Sequence, residues 1–191
     1  KKHGPPDVAF FYGGFNDVYS VFQTGQIDLP QNLENRYAEF DSRGKFNVIA
    51  PLSKHSYLFK LFKKVLPSRS HEPLKYDVEE KAKELVDNYL QNVGVITAVA
   101  KEQGVGVFFF WQPHLFDRKQ PYGQEQYLRR NADPQLRDLA IAATNELKSR
   151  DSSVIVLDQV FDAYEFMVFN DIIHLSENGN AIIALYIANT L

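Results

Sequence analysis

The chain has 191 residues, of which 45% are hydrophobic and 24% charged, and its formal net charge is −3. This length and composition are those of one globular domain with a substantial buried core, and the slightly acidic balance gives no electrostatic reason to expect nucleic acid as a partner. The absence of cysteine excludes disulfides, thiolate metal sites and cysteine nucleophiles.

The compartment is not fixed by the composition, although a secreted or periplasmic location is the one we favour. No apolar run reaches the roughly 20 residues of a membrane-spanning helix. The sequence begins Lys1-Lys2-His3, without an initiator Met or an apolar signal core, and its only Met is Met167. We therefore expect this chain to continue a longer polypeptide.

The first elements in chain order are a strand and a long insertion. The apolar run 7–12 precedes Gly13 and Gly14, which predicts a buried strand ending in a tight loop. The segment 20–77 is mixed in character and is interpreted as an insertion. Within it, 53–66 has apolar residues at helical spacing with lysines elsewhere. This helix is either packed on the domain, the alternative we favour, or a lid that touches lipid.

Helices and apolar strands then alternate. Asp77 is placed to cap a helix from Val78 to about Gln103, and Gly104 is placed to end it. The remaining elements are a strand over 105–111, a polar loop over 117–134, a helix over 134–150, a strand over 154–157 and an amphipathic helix over 177–190.

This alternation predicts an α/β fold in which a parallel sheet lies between two helical layers, a three-layer αβα domain. The 105–111 run is continuously apolar, as a strand buried on both faces requires. Only three strands are readable, and a three-stranded sheet would keep an apolar edge unpaired. We therefore expect residues 1–191 to form one domain whose N-terminal strands precede Lys1.

Polar residues follow the ends of the predicted strands. Gly14-Phe15-Asn16-Asp17 follows the first strand, and Asp171-Ile172-Ile173-His174 follows the third. Carboxyl ends of parallel strands meet at one edge, so these segments are expected to converge. A histidine that relays a proton, a carboxylate that orients it and an asparagine amide that donates to an oxyanion are the residue types of acyl transfer.

Each segment alone has a plainer interpretation. Asn16-Asp17 after two glycines is typical of a turn, and Asp171 with His174 is typical of a local hydrogen-bonded pair. Their occurrence together, in this order, favours catalysis. Trp111 and His114 lie at the end of the second strand and are candidates to line the cleft. Trp111 is predicted to be a core residue that reaches the floor of the cleft, and His114 either lines the substrate site or lies on the surface.

The first segment resembles the Gly-x-Asn-Asp block of the SGNH (GDSL-type) hydrolases. Asp171 to His174, followed by Leu175 and Asn178-Gly179-Asn180, resembles their Asp-x-x-His block. The resemblance covers most of the chain in order and spacing, except the 20–77 insertion. It implies a flavodoxin-like SGNH-hydrolase fold and an ester hydrolase that acts on a lipid acyl or carbohydrate acetyl group through an acyl-enzyme.

The resemblance also implies the role of each residue. Asn16 would donate to the oxyanion, His174 would be the general base, and Asp171 would orient it. Gly14 would belong to the oxyanion hole, beside Trp111 and His114. No cofactor and no metal is implied, and no His, Asp or Glu set has metal-ligand spacing.

The family's Gly-Asp-Ser nucleophile block has no counterpart in this chain. Ser20 lies one turn into a helix, Ser42 follows no strand, Ser152-Ser153 precedes a strand, and Ser176 is placed to cap the last helix. We expect the nucleophile to come from outside this chain, in an upstream segment of the same or a separate polypeptide. The alternatives are a non-catalytic SGNH-like module that binds a glycan or a protein, and an O-acyltransferase.

Overall fold

The structure is a computed structural model that describes residues 4–29, 75–150 and 152–190. Ser42 and the helix predicted over 53–66 lie outside these residues, as does most of the insertion. In chain order the elements are β1 (Val8–Gly13), α1 (Phe15–Thr24), α2 (Val78–Glu102), β2 (Gly106–Trp111), α3 (Gln124–Asn131), α4 (Pro134–Ser149), β3 (Val154–Val156) and α5 (Glu177–Thr190).

The three strands form one sheet in the order β1-β2-β3. Both neighbouring pairs are parallel, with Val8 opposite Gly106 in the first pair and Phe109 opposite Val154 in the second. The α/β class and the parallel sheet predicted from the sequence are therefore confirmed. The carboxyl ends of all three strands lie at one edge of the sheet, which we call the rim.

The sheet has an apolar cluster on each face. Alternate residues of β2 point to opposite sides, so Phe109 and Trp111 pack against the buried residues of α1, α2 and α4. Phe108 and Phe110 belong to the second cluster, together with Ile183 of α5. Helices thus cover both faces, which explains why the final residues of β2 are fully apolar.

Several helix ends confirm their sequence signals. The Asp77 side chain accepts a hydrogen bond from the Glu80 N–H at 2.9 Å, and Gly104 has a φ of 68° just after α2. Ser176 Oγ accepts from the Gly179 N–H at 3.2 Å at the start of α5. The bounds of α2 differ by one residue from the prediction.

The prediction that the first strand is buried was wrong. Its large side chains are between 37% and 46% exposed, namely those of Val8, Phe10, Phe11 and Tyr12. The reason is position: β1 is an outer strand, and no described residue pairs with its outer edge. The stacking of Phe10 on Phe108 and of Phe11 on Phe109 covers only the side that faces β2.

The loop predicted over 117–134 contains the short helix α3. Its sequence, QEQYLRRN, is mostly polar: Leu128 packs against the second apolar cluster, and Glu125 is completely buried. A helix anchored by a buried charged residue has no apolar stripe, so hydrophobic periodicity does not reveal it.

We expect the packing of α2 against α4 to supply much of the stability. Leu139 of α4 is completely buried, so Leu139→Ala should lower the free energy of unfolding by about 2–5 kcal/mol through lost burial and a residual cavity. Urea unfolding followed by circular dichroism measures this change. The matched control is Leu185→Ala in α5, where the side chain is 64% exposed and the change should stay within about 0.5 kcal/mol. Similar effects for the two substitutions would contradict this packing.

Candidate active site

Asp171 and His174 form a hydrogen-bonded pair in the loop after β3. His174 Nδ1 lies 2.7 Å from Asp171 Oδ2, so the contact expected from the sequence is present. The other carboxylate oxygen, Oδ1, accepts hydrogen bonds from the backbone N–H groups of Ile173 at 2.9 Å and His174 at 2.7 Å. Both carboxylate oxygens are thus engaged within one four-residue turn.

These contacts keep the Asp171 side chain charged. Partial burial works against the charged form, but the N–H donors of His174 and Ile173 and the imidazole hold the pKa of Asp171 below its ordinary value. The contact with His174 uses Nδ1, which leaves Nε2 for a second partner. Because the His174 side chain is 77% exposed, that nitrogen is open to a reacting group.

The loop that carries the pair is closed by backbone hydrogen bonds. Phe169 and Leu175 form an isolated antiparallel bridge, and the Asn170 N–H donates to the His174 carbonyl oxygen at 2.7 Å. The loop after β2 is joined to it, because the Leu115 N–H donates to the Ile172 carbonyl oxygen at 3.0 Å. Asp171 and His174 therefore occupy the tip of a braced loop.

Gly14 and Asn16 lie at the other end of the rim, where β1 passes into α1. Gly14 has a φ of 111° and is buried, and a Cβ atom there would lie 2.3 Å from Cε3 of Trp111. The N–H groups of Asp17 and Val18 both donate to the Gly14 carbonyl oxygen, which starts the helix. Asn16 is exposed in the first helical turn, at the positive end of the helix dipole.

Hydrogen bonds between the strand ends tie this rim together. The Gln112 N–H donates to the Gly13 carbonyl oxygen at 2.8 Å, and the Leu157 N–H donates to the Trp111 carbonyl oxygen at 3.2 Å. Neighbouring strands lie about 4.8 Å apart, so the ends of β1 and β3 are separated by about 10 Å. The segment that carries Asn16 follows β1 directly, whereas the loop that carries His174 reaches the rim through the hydrogen bond between Leu115 and Ile172.

Trp111 and His114 lie beneath the rim. Both side chains are 1% exposed, so the surface alternative for His114 was wrong and neither side chain is an open wall of a cleft. The reason is that Trp111 faces the α2–α4 side of the sheet and is capped by Gly14. Trp111 Nε1 donates to Thr144 Oγ1 at 3.1 Å, and His114 Nε2 lies 3.2 Å from the same hydroxyl.

A second His/Asp pair, which sequence reasoning missed, is buried under the rim. His114 Nδ1 lies 3.3 Å from Asp117 Oδ2, and the Asp117 side chain is only 6% exposed. Burial lowers the pKa of His114 to about 4 and raises the pKa of Asp117 to about 8. The signal was available, because the spacing of three residues repeats that of Asp171 and His174 in the opposite order.

The described serines occupy structural positions. Ser20 is buried in α1 and donates to the Leu29 carbonyl oxygen, and Ser176 caps α5. Ser152 and Ser153 precede β3, at the opposite end of the sheet from the rim. None of them follows the carboxyl end of a strand in the way that a nucleophile facing His174 would require.

A cavity of about 260 Å³ lies between α1 and α2 and is lined by Asp17, the residue after Asn16. Its polar lining consists of Asp17, Ser20, Asp28, Asn88 and Tyr89. Asn88 Nδ2 donates to Asp28 Oδ1 at 2.7 Å. Desolvation raises the pKa of Asp17, and burial next to the Asp17 charge raises the pKa of Tyr89 to about 12.

Comparison of the chain with protein-family models, with curated proteins and with solved structures returns no match. Among the described residues, no group of three or more His, Asp or Glu side chains is arranged to hold a metal ion. No helix in the same part of the chain is long and apolar enough to cross a membrane.

We expect Gly14→Ala to destabilise the protein by roughly 2–4 kcal/mol, because the new methyl group would overlap the Trp111 ring and the backbone would be held at positive φ. Trp111 is the only tryptophan, so its fluorescence reports this displacement directly. The control is Gly13→Ala, where a Cβ meets nothing within 4 Å. Unchanged emission and stability in Gly14→Ala would show that the Trp111–Gly14 contact is not formed.

The pair His114–Asp117 predicts a specific pH dependence. Between pH 6.5 and 8 the folded protein keeps most of the Asp117 proton that the unfolded chain has released. His114 is neutral in the folded protein and still partly protonated in the unfolded chain near pH 6.5, so it opposes the Asp117 effect only at that end of the window and does not reverse it. Stability should therefore fall as pH rises through this window, by up to about 1.4 kcal/mol per pH unit. Urea midpoints at three pH values measure the slope.

Asp117→Asn should remove this slope, because the amide does not titrate. Asp138→Asn, at an exposed position of α4, should keep it. A midpoint that is constant or rises from pH 6.5 to 8 in the unmodified protein would contradict the prediction.

Proposed function

We propose that this chain supplies the asparagine, aspartate and histidine of an SGNH (GDSL-type) ester hydrolase whose serine nucleophile lies outside the chain. The observation that carries the proposal is the hydrogen bond of His174 Nδ1 to Asp171, at the same rim as Asn16. A carboxylate bound to Nδ1 fixes the tautomer in which Nε2 accepts a proton.

In the proposed reaction, His174 Nε2 takes the proton of the serine hydroxyl as its oxygen attacks the ester carbonyl carbon. The imidazolium that forms is stabilised by the charged Asp171 at 2.7 Å. His174 then returns the proton to the leaving alcohol oxygen, which leaves an acyl-serine. Water deprotonated by His174 hydrolyses this intermediate and restores the serine.

Asn16 is proposed to stabilise the negative oxygen of the tetrahedral intermediate. Its position in the first turn of α1 adds the positive end of the helix dipole. The tight turn at Gly14 keeps the start of that helix against the sheet. Loss of one such donor typically costs about 3–4 kcal/mol of transition-state stabilisation.

The outer edge of β1, with which no described residue pairs, supports an external source for the serine. In native proteins, a strand edge with exposed aromatic side chains is usually paired with another strand or covered by another element. A further strand aligned in parallel with β1 would end at the rim, next to Asn16. We propose that the serine follows such a strand, contributed by a segment outside this chain.

The cavity lined by Asp17 favours a small acyl group on a carbohydrate over a long lipid chain. Its 260 Å³ accommodates a sugar-sized group, and its lining combines Asp17, Asp28 and Asn88 with apolar residues of α1 and α2. Carboxylates and amides of this kind bind hydroxyl groups. Carbohydrate acetyl esters are therefore the substrate class we propose.

One observation favours the competing function, a non-catalytic binding module: no described serine faces the rim. A fluorophosphonate probe separates the two functions, because it reacts covalently with an activated serine. We expect labelling of one serine, located by mass spectrometry, in the complete polypeptide, meaning this chain together with the segment that carries the serine. An unlabelled polypeptide with alanine or glycine at the Gly-Asp-Ser position would establish the binding module instead.

We expect His174→Ala to lower kcat for hydrolysis of p-nitrophenyl acetate by at least about 100-fold in the complete polypeptide, because the general base is lost. Asp171→Asn should lower kcat as well, with its matched control in Asp138→Asn, which lies in α4 away from the rim. Hydrolysis that survives both substitutions at Asp171 and His174 would exclude their proposed roles.

A further inference from the structure

The completely buried side chain of Glu125 contacts the base of the loop that carries Asp171 and His174. Its Oε1 accepts hydrogen bonds from the Val168 N–H at 2.7 Å and from the Phe169 N–H at 2.9 Å. Oε2 accepts from the Tyr122 N–H at 2.8 Å. Two of these donors lie in the 168–169 segment, and the third, Tyr122, lies more than 40 residues earlier in the chain. Glu125 therefore joins two distant segments.

Arg118 completes this arrangement. Its Nε lies 3.4 Å from Glu125 Oε2, and both side chains are at most 1% exposed. Nη2 of Arg118 donates to the carbonyl oxygens of Tyr164 and Phe166, each at 2.7 Å. Arg118 and Glu125 together therefore hold the 164–169 segment at several backbone groups. Such contacts are required, since charged side chains this deeply buried are tolerated only when they are paired and hydrogen-bonded.

The held segment leads directly into the candidate site. Phe169 is bridged to Leu175, and the Val168 carbonyl oxygen accepts from the Ser176 N–H at 2.8 Å. One side of this closure consists of Val168 and Phe169, the residues that Glu125 binds, and the Asp171–His174 turn lies between them and Leu175. Glu125 thus fixes the base of the loop while the tip stays exposed.

We propose that Glu125 is a positioning residue for the Asp171–His174 pair. It does not touch a reacting atom. It holds Val168 and Phe169 so that the N–H groups of Ile173 and His174 stay directed at Asp171 and the imidazole keeps its place at the rim. The catalytic importance of this role rests on the proposed function. The effect of Glu125 on the position of Asp171 and His174 can be measured without any catalytic activity.

The test follows the Asp171 carboxyl carbon by NMR as a function of pH. In Glu125→Ala the loop loses its brace, the backbone donors disengage, and the pKa of Asp171 should rise toward its ordinary value of 3.8. Glu125→Gln keeps an acceptor oxygen for Val168 and Phe169 but loses the charge facing Arg118, so it should show a smaller rise.

The matched control is Leu147→Ala. Leu147 is 1% exposed in α4 and belongs to the apolar cluster on the α2–α4 face of the sheet. Its side chain is apolar and makes none of the hydrogen bonds that hold the loop, so this substitution lowers global stability while the Glu125 contacts stay intact. The pKa of Asp171 should not move in Leu147→Ala. An equal rise in all three variants, or no rise in either Glu125 variant, would overturn the positioning role.

A measurement on the unmodified protein decides the question even where Glu125→Ala does not fold. Amide hydrogens of Val168, Phe169, Ile173 and His174 should exchange with one common opening free energy, as a single cooperative unit. Protection at Val168 and Phe169 with free exchange at Ile173 and His174 would show that ordering the base of the loop does not order the Asp171–His174 turn.

The proposed function fails in a different way. In the complete polypeptide, Glu125→Gln should lower kcat for p-nitrophenyl acetate by about tenfold or more with little change in KM, because a misplaced base weakens the transition state and not substrate binding. A polypeptide without esterase activity whose Asp171 pKa still responds to Glu125 would refute the hydrolase and keep the brace. Normal esterase activity in Glu125→Gln would refute the positioning role alone.

Discussion

The parallel pairing of three strands is the constraint on which the rest of the structure depends. It places the carboxyl ends of β1, β2 and β3 side by side, so that segments 154 residues apart in the sequence arrive at one rim. Backbone hydrogen bonds then fix the loops relative to the strand ends. Gln112 donates to Gly13, and Leu115 donates to Ile172. Each catalytic role proposed for the rim presupposes this register, because a shift of one residue would turn the side chains to the opposite face.

Burial decides what two His/Asp pairs with the same spacing can do. The His174 side chain is exposed and that of Asp171 is half-buried, so that backbone donors favour the charged carboxylate while the imidazole remains accessible. His114 and Asp117 lie under the rim, where desolvation favours a neutral histidine and a protonated acid, so that no charge is left uncompensated. A charged carboxylate beside an accessible imidazole is the state that proton transfer needs. A neutral histidine beside a protonated acid is the state that is stable when both side chains are buried.

Signals that act within a few residues were readable from the sequence. The bounds of α2 followed from apolar spacing, the Asp77 cap and Gly104, and the Asp171–His174 contact followed from its short spacing. The exposure of β1 was not readable, because an apolar run is the same whether its strand is central or outermost. Glu125 and α3 were missed since a buried glutamate in a polar helix becomes meaningful only through partners 43 and 44 residues later. The SGNH assignment and the roles of Asn16, Asp171 and His174 remain proposals from the sequence.

The open edge of β1 has a consequence for the behaviour of the chain in solution. No described residue pairs with this edge, whose backbone N–H and C=O groups lie beside exposed aromatic rings and form a template for an extended segment, including the same edge of a second copy. The association state of the chain is therefore an indicator of whether this edge is occupied. A monodisperse monomer would mean that the template is already filled, whereas concentration-dependent association would mean that it is still vacant.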